Sequence, residues 1–555
     1  MARLSVSRRG TQKELTIMSI LYVALVLLSA LVATTWSAAF DMNEVHNLDQ
    51  LIGRSSVAKA RDTNLIDPNA LGKNKYTPPE EKAAQFWYDL ANEEIAKRLA
   101  LPQIDKRKAK NLIMFLGDGM SLTTVAAARI LKGQLKGNTG EEDALSFEKF
   151  PYTGLSRTYC SNAQVPDSAC TATAYLCGVK TNIVALGVTA NVNFNNCSGS
   201  EDPANHVSSI AAWAQAAGKA SGIVTTTTLT HASPSGAYAH STNRFFESDT
   251  DIVTYGEGQN GPCTDIATQL ITQEPGKNFD VMLGGGMGKF LPQSITDKFG
   301  NKGERSDGVN LLSKWQSLHP EGALAYNRNQ LLSVDAKRIP RLIGLFNSGV
   351  MDFHKLADPA QKPTLEEMTK KAIEVVSQND EGYFLFIEGG LVDYGNHFNL
   401  PQMGLDEVHE LSKAVETALG MTNPEETLIV VTSDHAHPLS ISGYPGRGTN
   451  ILGLNQHDTD INGVKYATLN YAVGPNPYLD ENGKRESLED KIDNPSFVFP
   501  SYITGKIGVH SGDDVGIFAT GPQSHLFTGV MQQSTIPHLM AYAGCIGDGP
   551  KLCDN

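Results

Sequence analysis

Four strand-length apolar runs in this chain each lead into residues of types that can ligate metal ions. Asn111–Leu116 runs into Gly117-Asp118-Gly119, and Phe384–Ile387 into Glu388, Asp393 and His397. Thr427–Thr432 runs into Ser433-Asp434-His435, and Ser221–Thr225 into His231-Ala232-Ser233 and later Arg244. A further histidine, His510, lies just ahead of the strand-like run Val515–Phe518. Apolar runs of this length, the first followed by a helical pattern from Ser121 to Leu131, predict buried strands joined to helices. In open α/β sheets ligands bind beyond the carboxyl ends of the strands. Acids, histidines and a serine at that many strand ends therefore predict a multi-metal site. Asp393 and His397 are four residues apart, so one helical turn brings both to one ion.

Ser168 follows Asp167 and opens the run Ser168-Ala-Cys-Thr-Ala-Thr-Ala174. A serine at a helix start faces free backbone N–H groups and the positive end of the helix dipole, which favour an anion. Small neighbours let a substrate approach. An isolated Asp-Ser pair reads as a plain N-cap; the four strand ends give it a second meaning.

These segments resemble the alkaline phosphatase family, especially its animal extracellular members. The resemblance runs in order from about Asn111 to about Cys553. It is carried by Phe115-Leu-Gly-Asp-Gly-Met120, Val165-Pro-Asp-Ser-Ala169, Thr230-His-Ala-Ser-Pro234, Phe384-Leu-Phe-Ile-Glu-Gly-Gly390, Thr432-Ser-Asp-His435 and Gly521-Pro-Gln-Ser-His525. It implies a large, mostly parallel central sheet flanked by helices, and hydrolysis of phosphate monoesters through a covalent phosphoserine. It also implies two Zn2+ and one Mg2+. Asp393, His397 and His510 then match ligands of the first zinc. Asp434, His435 and Asp118 match the second, beside the nucleophile Ser168. Asp118 bridges to magnesium with Ser233 and Glu388, His231 reaches magnesium only through water, and Arg244 binds phosphate. The donor types agree with this division: imidazole with carboxylate suits zinc, and oxygen-only sets suit magnesium.

The chain carries a formal charge of −14, which repels a phosphate dianion at long range. Three divalent ions outweigh the four site carboxylates, so the local field is positive and the metals set it. No basic, aromatic-interleaved patch points to nucleic acid.

The family pattern is departed from in few places. Cys170 stands where many relatives have Gly or Ala. Leu391, Tyr394 and Asn396 replace Arg, His and His of vertebrate relatives around the first-zinc ligands, without loss of a ligand. Vertebrate relatives also hold calcium, with a Glu directly after Gly-Leu-Phe and an Asp directly before Pro-x-Leu. Here Gly344-Leu345-Phe346 is followed by Asn347, and Pro363-Thr-Leu365 is preceded by Lys362. An amide and a lysine in place of two carboxylates predict no calcium there, with Asp352 or Asp358 as the alternative ligands of a shifted site.

The 555-residue chain, 41% hydrophobic and 19% charged, is long enough for one large α/β domain with insertions. Arg3, Arg8, Arg9 and Lys13 precede the apolar run Ile17 to Ala33, and Ser37-Ala38-Ala39 offers cleavage after Ala39. Residues 1–39 therefore read as a signal peptide, with an uncleaved anchor helix as the alternative. Residues 40–104 read as a leader and an amphipathic helix carrying Phe86, Trp87, Leu90 and Ile95, and residues 105–555 as the catalytic domain. By resemblance that helix embraces a second subunit, giving a homodimer; a helix packed on its own core is the other reading. An insertion at about 444–507 corresponds to the family's crown region near the dimer interface. The C-terminus is polar, so export in soluble form is expected, with a lipid-anchored surface form as the alternative.

Seven cysteines in an exported chain predict disulfides plus one left over. Cys197 and Cys263 match a family pair, Cys545 and Cys553 close a short loop, and Cys177 matches an unpaired family position. Pairing of Cys160 with Cys170 stays open. Three other functions compete. A sulfatase is disfavoured because Ser168-Ala-Cys-Thr-Ala lacks the Pro and Arg of a sulfatase nucleophile context. A phosphodiesterase usually carries Thr as its nucleophile and lacks a counterpart of Arg244. A catalytically silent surface receptor is disfavoured by the intact ligand set.

Overall fold

A computed structural model describes residues 104–554 apart from 257, 258 and 495, together with Phe86, Asp89, Leu90, Asn92 and Glu93, which lie in helix. The expected signal peptide and leader, and most of the expected arm helix, lie outside the described residues. Strands β1 (Asn111–Gly117), β2 (Tyr152–Arg157), β3 (Ala220–Thr228), β4 (Val281–Gly285), β5 (Ala323–Ala325), β6 (Leu342–Leu345), β7 (Tyr383–Gly389) and β8 (Thr427–Ser433) build most of the central sheet. The short strands β9 (Leu439–Ile441), β10 (Leu454–Thr459), β11 (Lys465–Ala467), β12 (Leu469–Gly474) and β13 (Ser501–Thr504) follow, and form two smaller sheets. β14 (Val515–Thr520) and β15 (Gly529–Gln532) complete the central, 10-stranded sheet, whose order is β15-β2-β14-β8-β1-β7-β3-β4-β6-β5.

β1 pairs in parallel with both β7 and β8, and β3 pairs in parallel with β7 and β4. The three central strands read as near-continuous apolar runs because both sheet faces are covered. On one face lie Ile113, Phe115, Leu385, Ile387, Ile429 and Val431; their alternates Leu112, Met114, Phe384, Phe386, Leu428 and Val430 fill the other. Period-two alternation thus sends successive residues of one strand into two different cores.

The first core is closed in part by α1 (Leu122–Leu135), through Val125, Ala128 and Leu131. On the second face lie α2 (Ser168–Cys177) and α3 (Ile210–Ala216). Then come the short α4 (Ala232–Ser235), α5 (Leu365–Val376), α6 (Leu391–His397), α7 (Pro401–Met421) and α8 (Ile536–Gly544). α5 and α7 cover the first face through Met368, Ala372, Val408 and Leu411, and α8 covers the second through Met540 and Ala543. Each such fully buried Leu, Met, Val or Phe contributes roughly 1.5–3 kcal/mol relative to exposure.

β14 runs antiparallel to both β8 and β2. Its beginning therefore lies at the sheet edge where β1, β3, β7 and β8 end. That is why His510, which precedes its strand, joins residues that follow theirs. The region 444–507 holds the β10–β11 hairpin and the strands β12 and β13, which pair with each other and, through β12, with β9. Among the described residues, no helix is long and apolar enough to cross a membrane.

Candidate active site

Asp118 directly follows β1, in a turn that only Gly119 allows. Gly119 has φ +66°, and a Cβ there would lie 2.7 Å from His437 Cδ2 and 2.9 Å from Asp393 Oδ1. The Gly119 N–H donates to Asp434 Oδ1 at 2.8 Å, which joins the ends of β1 and β8. Ser168 is the first residue of α2. Asp167 caps the helix, its carboxylate accepting from the backbone N–H groups of Ala169 and Cys170 at 3.2 and 3.3 Å. The helix ends at Gly178 in the left-handed region, φ 73°.

The predicted residues gather in three adjoining groups. In the first, Asp393 and His397 come from α6 and His510 from the loop before β14. His397 Nε2 lies 3.3 Å from Asp393 Oδ2, and His510 Nε2 lies 3.5 Å from Asp393 Oδ1. His397 and His510 also hold their Nδ1 atoms 2.7 Å from Gly508 O and 2.8 Å from Pro166 O. Each Nδ1–H donates to its carbonyl, which turns both Nε2 lone pairs inward. Those nitrogens lie 2.9 Å apart, an arrangement that a shared cation relieves.

In the second group, His435 Nε2 lies 3.1 Å from Asp434 Oδ2, 3.5 Å from Asp118 Oδ1 and 3.3 Å from Ser168 Oγ. All four side chains are buried. In the third, Ser233 Oγ lies 3.5 Å from Asp118 Oδ2, and His231, Asp118 and Glu388 bring one ligand atom each within 4.8 Å of one another. Thr225 and Thr227 donate to Glu388 Oε2 at 2.5 and 3.2 Å and leave its other oxygen facing the group.

Asp118, Glu388, Asp393 and Asp434 crowd four carboxyl groups into a buried setting. Burial first, and then Asp434, Asp393 and Glu388, push the Asp118 carboxyl well above its ordinary value. Burial likewise raises Glu388 and Asp434 to about 7. His435 is held well below the ordinary imidazole range by burial and by His510, and His510 is lowered to about 4, chiefly by burial. Neutral imidazoles carry the lone pair that a metal ion needs, and a bound cation would keep the crowded carboxylates ionised. Asp118 Oδ1, Glu388 Oε1 and Asp434 Oδ2 are buried without a hydrogen-bond partner, although buried polar groups are nearly always satisfied. The donor set therefore fits divalent metal ions.

Arg244 is fixed on two sides. Its NH1 donates to Asp167 Oδ2 at 3.0 Å and its NH2 to His231 Nε2 at 3.0 Å. Asp167 as the anchor of Arg244, and His437, escaped the sequence reasoning. His437 is buried beside the first group, and Asp393, His435, His437 and His510 bring ligand atoms within 4.8 Å. The signal available for His437 was its spacing two residues beyond His435.

The expected disulfides Cys197–Cys263 and Cys545–Cys553 are present, Cys160 pairs with Cys170, and Cys177 is free and buried.

Comparison with known proteins places the fold and the family. The solved alkaline phosphatase of the Antarctic bacterium TAB5 has the same fold, with a TM-score of 0.56 at 22% identity, covering 80% of this chain and 100% of that one. The Thermus thermophilus alkaline phosphatase gives a TM-score of 0.55 at 22% identity, over 79% of this chain and 92% of that one. The membrane-bound alkaline phosphatase of Bombyx mori is 43% identical over 482 residues, 85% of this chain and 87% of that protein. The human tissue-nonspecific isozyme is 41% identical over 490 residues, 86% of this chain and 92% of that protein. A family model described as alkaline phosphatase matches residues 109–546. The chain belongs to the alkaline phosphatase family, a family of metal-dependent enzymes that hydrolyse phosphate monoesters.

Proposed function

We propose that Ser168 is the nucleophile and that the three groups hold two zinc ions and one magnesium. The carrying observation is the position of Ser168 Oγ at the head of α2, 3.3 Å from His435 Nε2 and beside the unpartnered oxygens of Asp118 and Asp434. Asp393, His397 and His510 suit the first zinc, and Asp118, Asp434 and His435, beside Ser168, the second. Asp118, Ser233 and Glu388 suit magnesium, with His231 behind them. When bound, the cations neutralise the buried carboxylates, favour the ionised serine and stabilise charge on both apical oxygens of an in-line phosphoryl transfer.

The side chains supply the rest. Ser168 Oγ attacks phosphorus, the alcohol leaves from the opposite side, and phosphoserine forms. Water then enters from that side, releasing phosphate and regenerating Ser168. Arg244, pinned by Asp167 and His231, presents a planar fork to two phosphate oxygens. Asp167 keeps that fork aimed at the helix start.

We also assign residues 1–39 to a signal peptide, 40–104 to a leader and arm, and 105–555 to the catalytic domain with a crown-like insertion at 444–507. Arm and crown support a homodimer, and the disulfides support an extracellular setting. At the place of the relatives' calcium site, Lys362 Nζ donates to Phe346 O at 2.7 Å and lies 3.3 Å from Asp352 Oδ2. Asn347 donates its amide to Val350 O at 2.7 Å. A tethered ammonium facing a carbonyl and a carboxylate supports the absence of calcium there.

Hydrolysis of p-nitrophenyl phosphate against bis(p-nitrophenyl) phosphate tests the reading, with Ser168→Ala as control. A strong preference for the monoester, lost by orders of magnitude in the variant, is expected. A preference for the diester overturns the reading.

A further inference from the structure

We infer that the Cys160–Cys170 disulfide is a positioning device for the nucleophile, tying the first turn of α2 to the loop that leaves β2. The inference rests on the reading of Ser168 as nucleophile. The bridge spans a sequence separation of 10, and the ring it closes contains Pro166, Asp167 and Ser168. These consecutive residues contact three different parts of the site. Pro166 O accepts from His510 Nδ1 at 2.8 Å, Asp167 Oδ2 accepts from Arg244 NH1 at 3.0 Å, and Ser168 Oγ lies 3.3 Å from His435 Nε2. The ring therefore fixes, at once, a ligand of the first group, the phosphate-binding arginine and the nucleophile beside the second group.

The other half of the ring is held weakly. Ser161, Asn162, Gln164 and Val165 are exposed. The loop is otherwise anchored by Ser161 N–H on Thr181 O at 2.8 Å, Ile183 N–H on Asn162 Oδ1 at 2.8 Å, and Cys160 N–H on Ala163 O at 3.1 Å. Water competes for such bonds at a surface. The bridge does not exchange with water, and both of its cysteines are 2% exposed. Reacting groups must be held to fractions of an ångström, and a misplacement of about 1 Å costs roughly 10²-fold in rate. The other two bridges, Cys197–Cys263 and Cys545–Cys553, enclose none of Pro166, Asp167 and Ser168.

The test compares Cys160→Ser and Cys160→Ala/Cys170→Ala with Cys197→Ala/Cys263→Ala, each metal-loaded and assayed well below its melting temperature. Cys160→Ser cuts the tie while leaving the packed residue of α2 in place. Both variants of the first bridge should lose at least about tenfold in kcat. Their inhibition constant for inorganic phosphate should also rise, because Asp167 and Arg244 move with the ring. A smaller active fraction cannot shift that constant. The Cys197–Cys263 variant should melt earlier with unchanged kcat and phosphate inhibition. Wild-type kcat and phosphate inhibition in the Cys160 variants overturn the inference, as does failure of both to fold, which leaves the bridge only a staple. Ser168→Ala run alongside separates the two readings. Full turnover in that variant removes the nucleophile itself, whereas its inactivity beside fully active cysteine variants removes only the positioning role.

Discussion

His437 Nε2 lies 2.5 Å from Asp393 Oδ1, so one histidine holds a carboxylate of the first group of candidate ligands. His397, His437 and His510 lower the Asp393 carboxyl well below its ordinary value, against burial, which raises it. Outer partners of this kind typically contribute 10–100-fold in metal affinity. His437→Ala is expected to lose zinc to a chelator at about tenfold lower concentration than wild type, and to regain activity in excess zinc. Unchanged zinc retention, measured by metal analysis after graded dialysis, would count against a role for this pair.

Much of the candidate site could be read from the sequence because its acids close apolar runs. Asp118, Glu388 and Asp434 each sit within a residue of a strand end, where the α/β rule directs attention. His437 was missed because it lies beyond β8, where no periodicity singles it out. Thr225 and Thr227 were missed because threonine inside β3 reads as an ordinary strand former, and only the pairing of β3 with β7 brings them to Glu388. β3 also runs on to Thr228, past the apolar run that predicted it. Disulfide connectivity cannot be deduced from spacing, so the partner of Cys170 needed three dimensions.

Asp167 joins two functions, and its removal should separate from that of Ser168. Asp167→Ala loses the N-cap of α2, which costs about 1 kcal/mol, and frees Arg244. KM for p-nitrophenyl phosphate and the inhibition constant for phosphate should both rise about tenfold, as expected for loss of an interaction near 1.4 kcal/mol. Steady-state kinetics check this; unchanged phosphate inhibition would mean that Arg244 keeps its aim without Asp167.

Stability should depend on pH through Glu407 and His354, which are not among the candidate metal ligands. Glu407 is buried on α7, where it accepts from the His354 N–H at 2.7 Å. Burial chiefly, with Asp406 and Glu410 adding to it, raises its carboxyl to about 8. An unfolded glutamate titrates near pH 4.3. Between those values the folded state keeps a proton that the unfolded state has lost, so stability falls as pH rises through the window. His354 acts in the same direction. Its hydrogen bond to Asp406 raises its pKa, so its contribution is complete below the unfolded value and disappears as pH climbs through the raised one. Lys362 and Asp352 line the same small cavity, of about 60 Å³. Glu407→Gln cannot titrate, and its melting temperature should gain on wild type steadily from pH 5 to 8. A constant difference across that range would contradict the assignment.

The ammonium of Lys362 predicts the response to calcium. Calorimetric titration of zinc- and magnesium-loaded enzyme should show no micromolar calcium site at this place. Lys362→Asp adds a carboxylate beside Asp352 and Phe346 O and should create one. Micromolar binding to wild type that Asp352→Ala abolishes would reveal a site that the lysine does not block.

The chemistry turns on a covalent bond to one oxygen. The enzyme can be incubated with labelled inorganic phosphate at mildly acidic pH, denatured, digested and mapped by mass spectrometry. Ser168 as nucleophile predicts one labelled peptide, with phosphate on Ser168, and no label in Ser168→Ala. Phosphate on any other residue, or equal labelling of the variant, would contradict it.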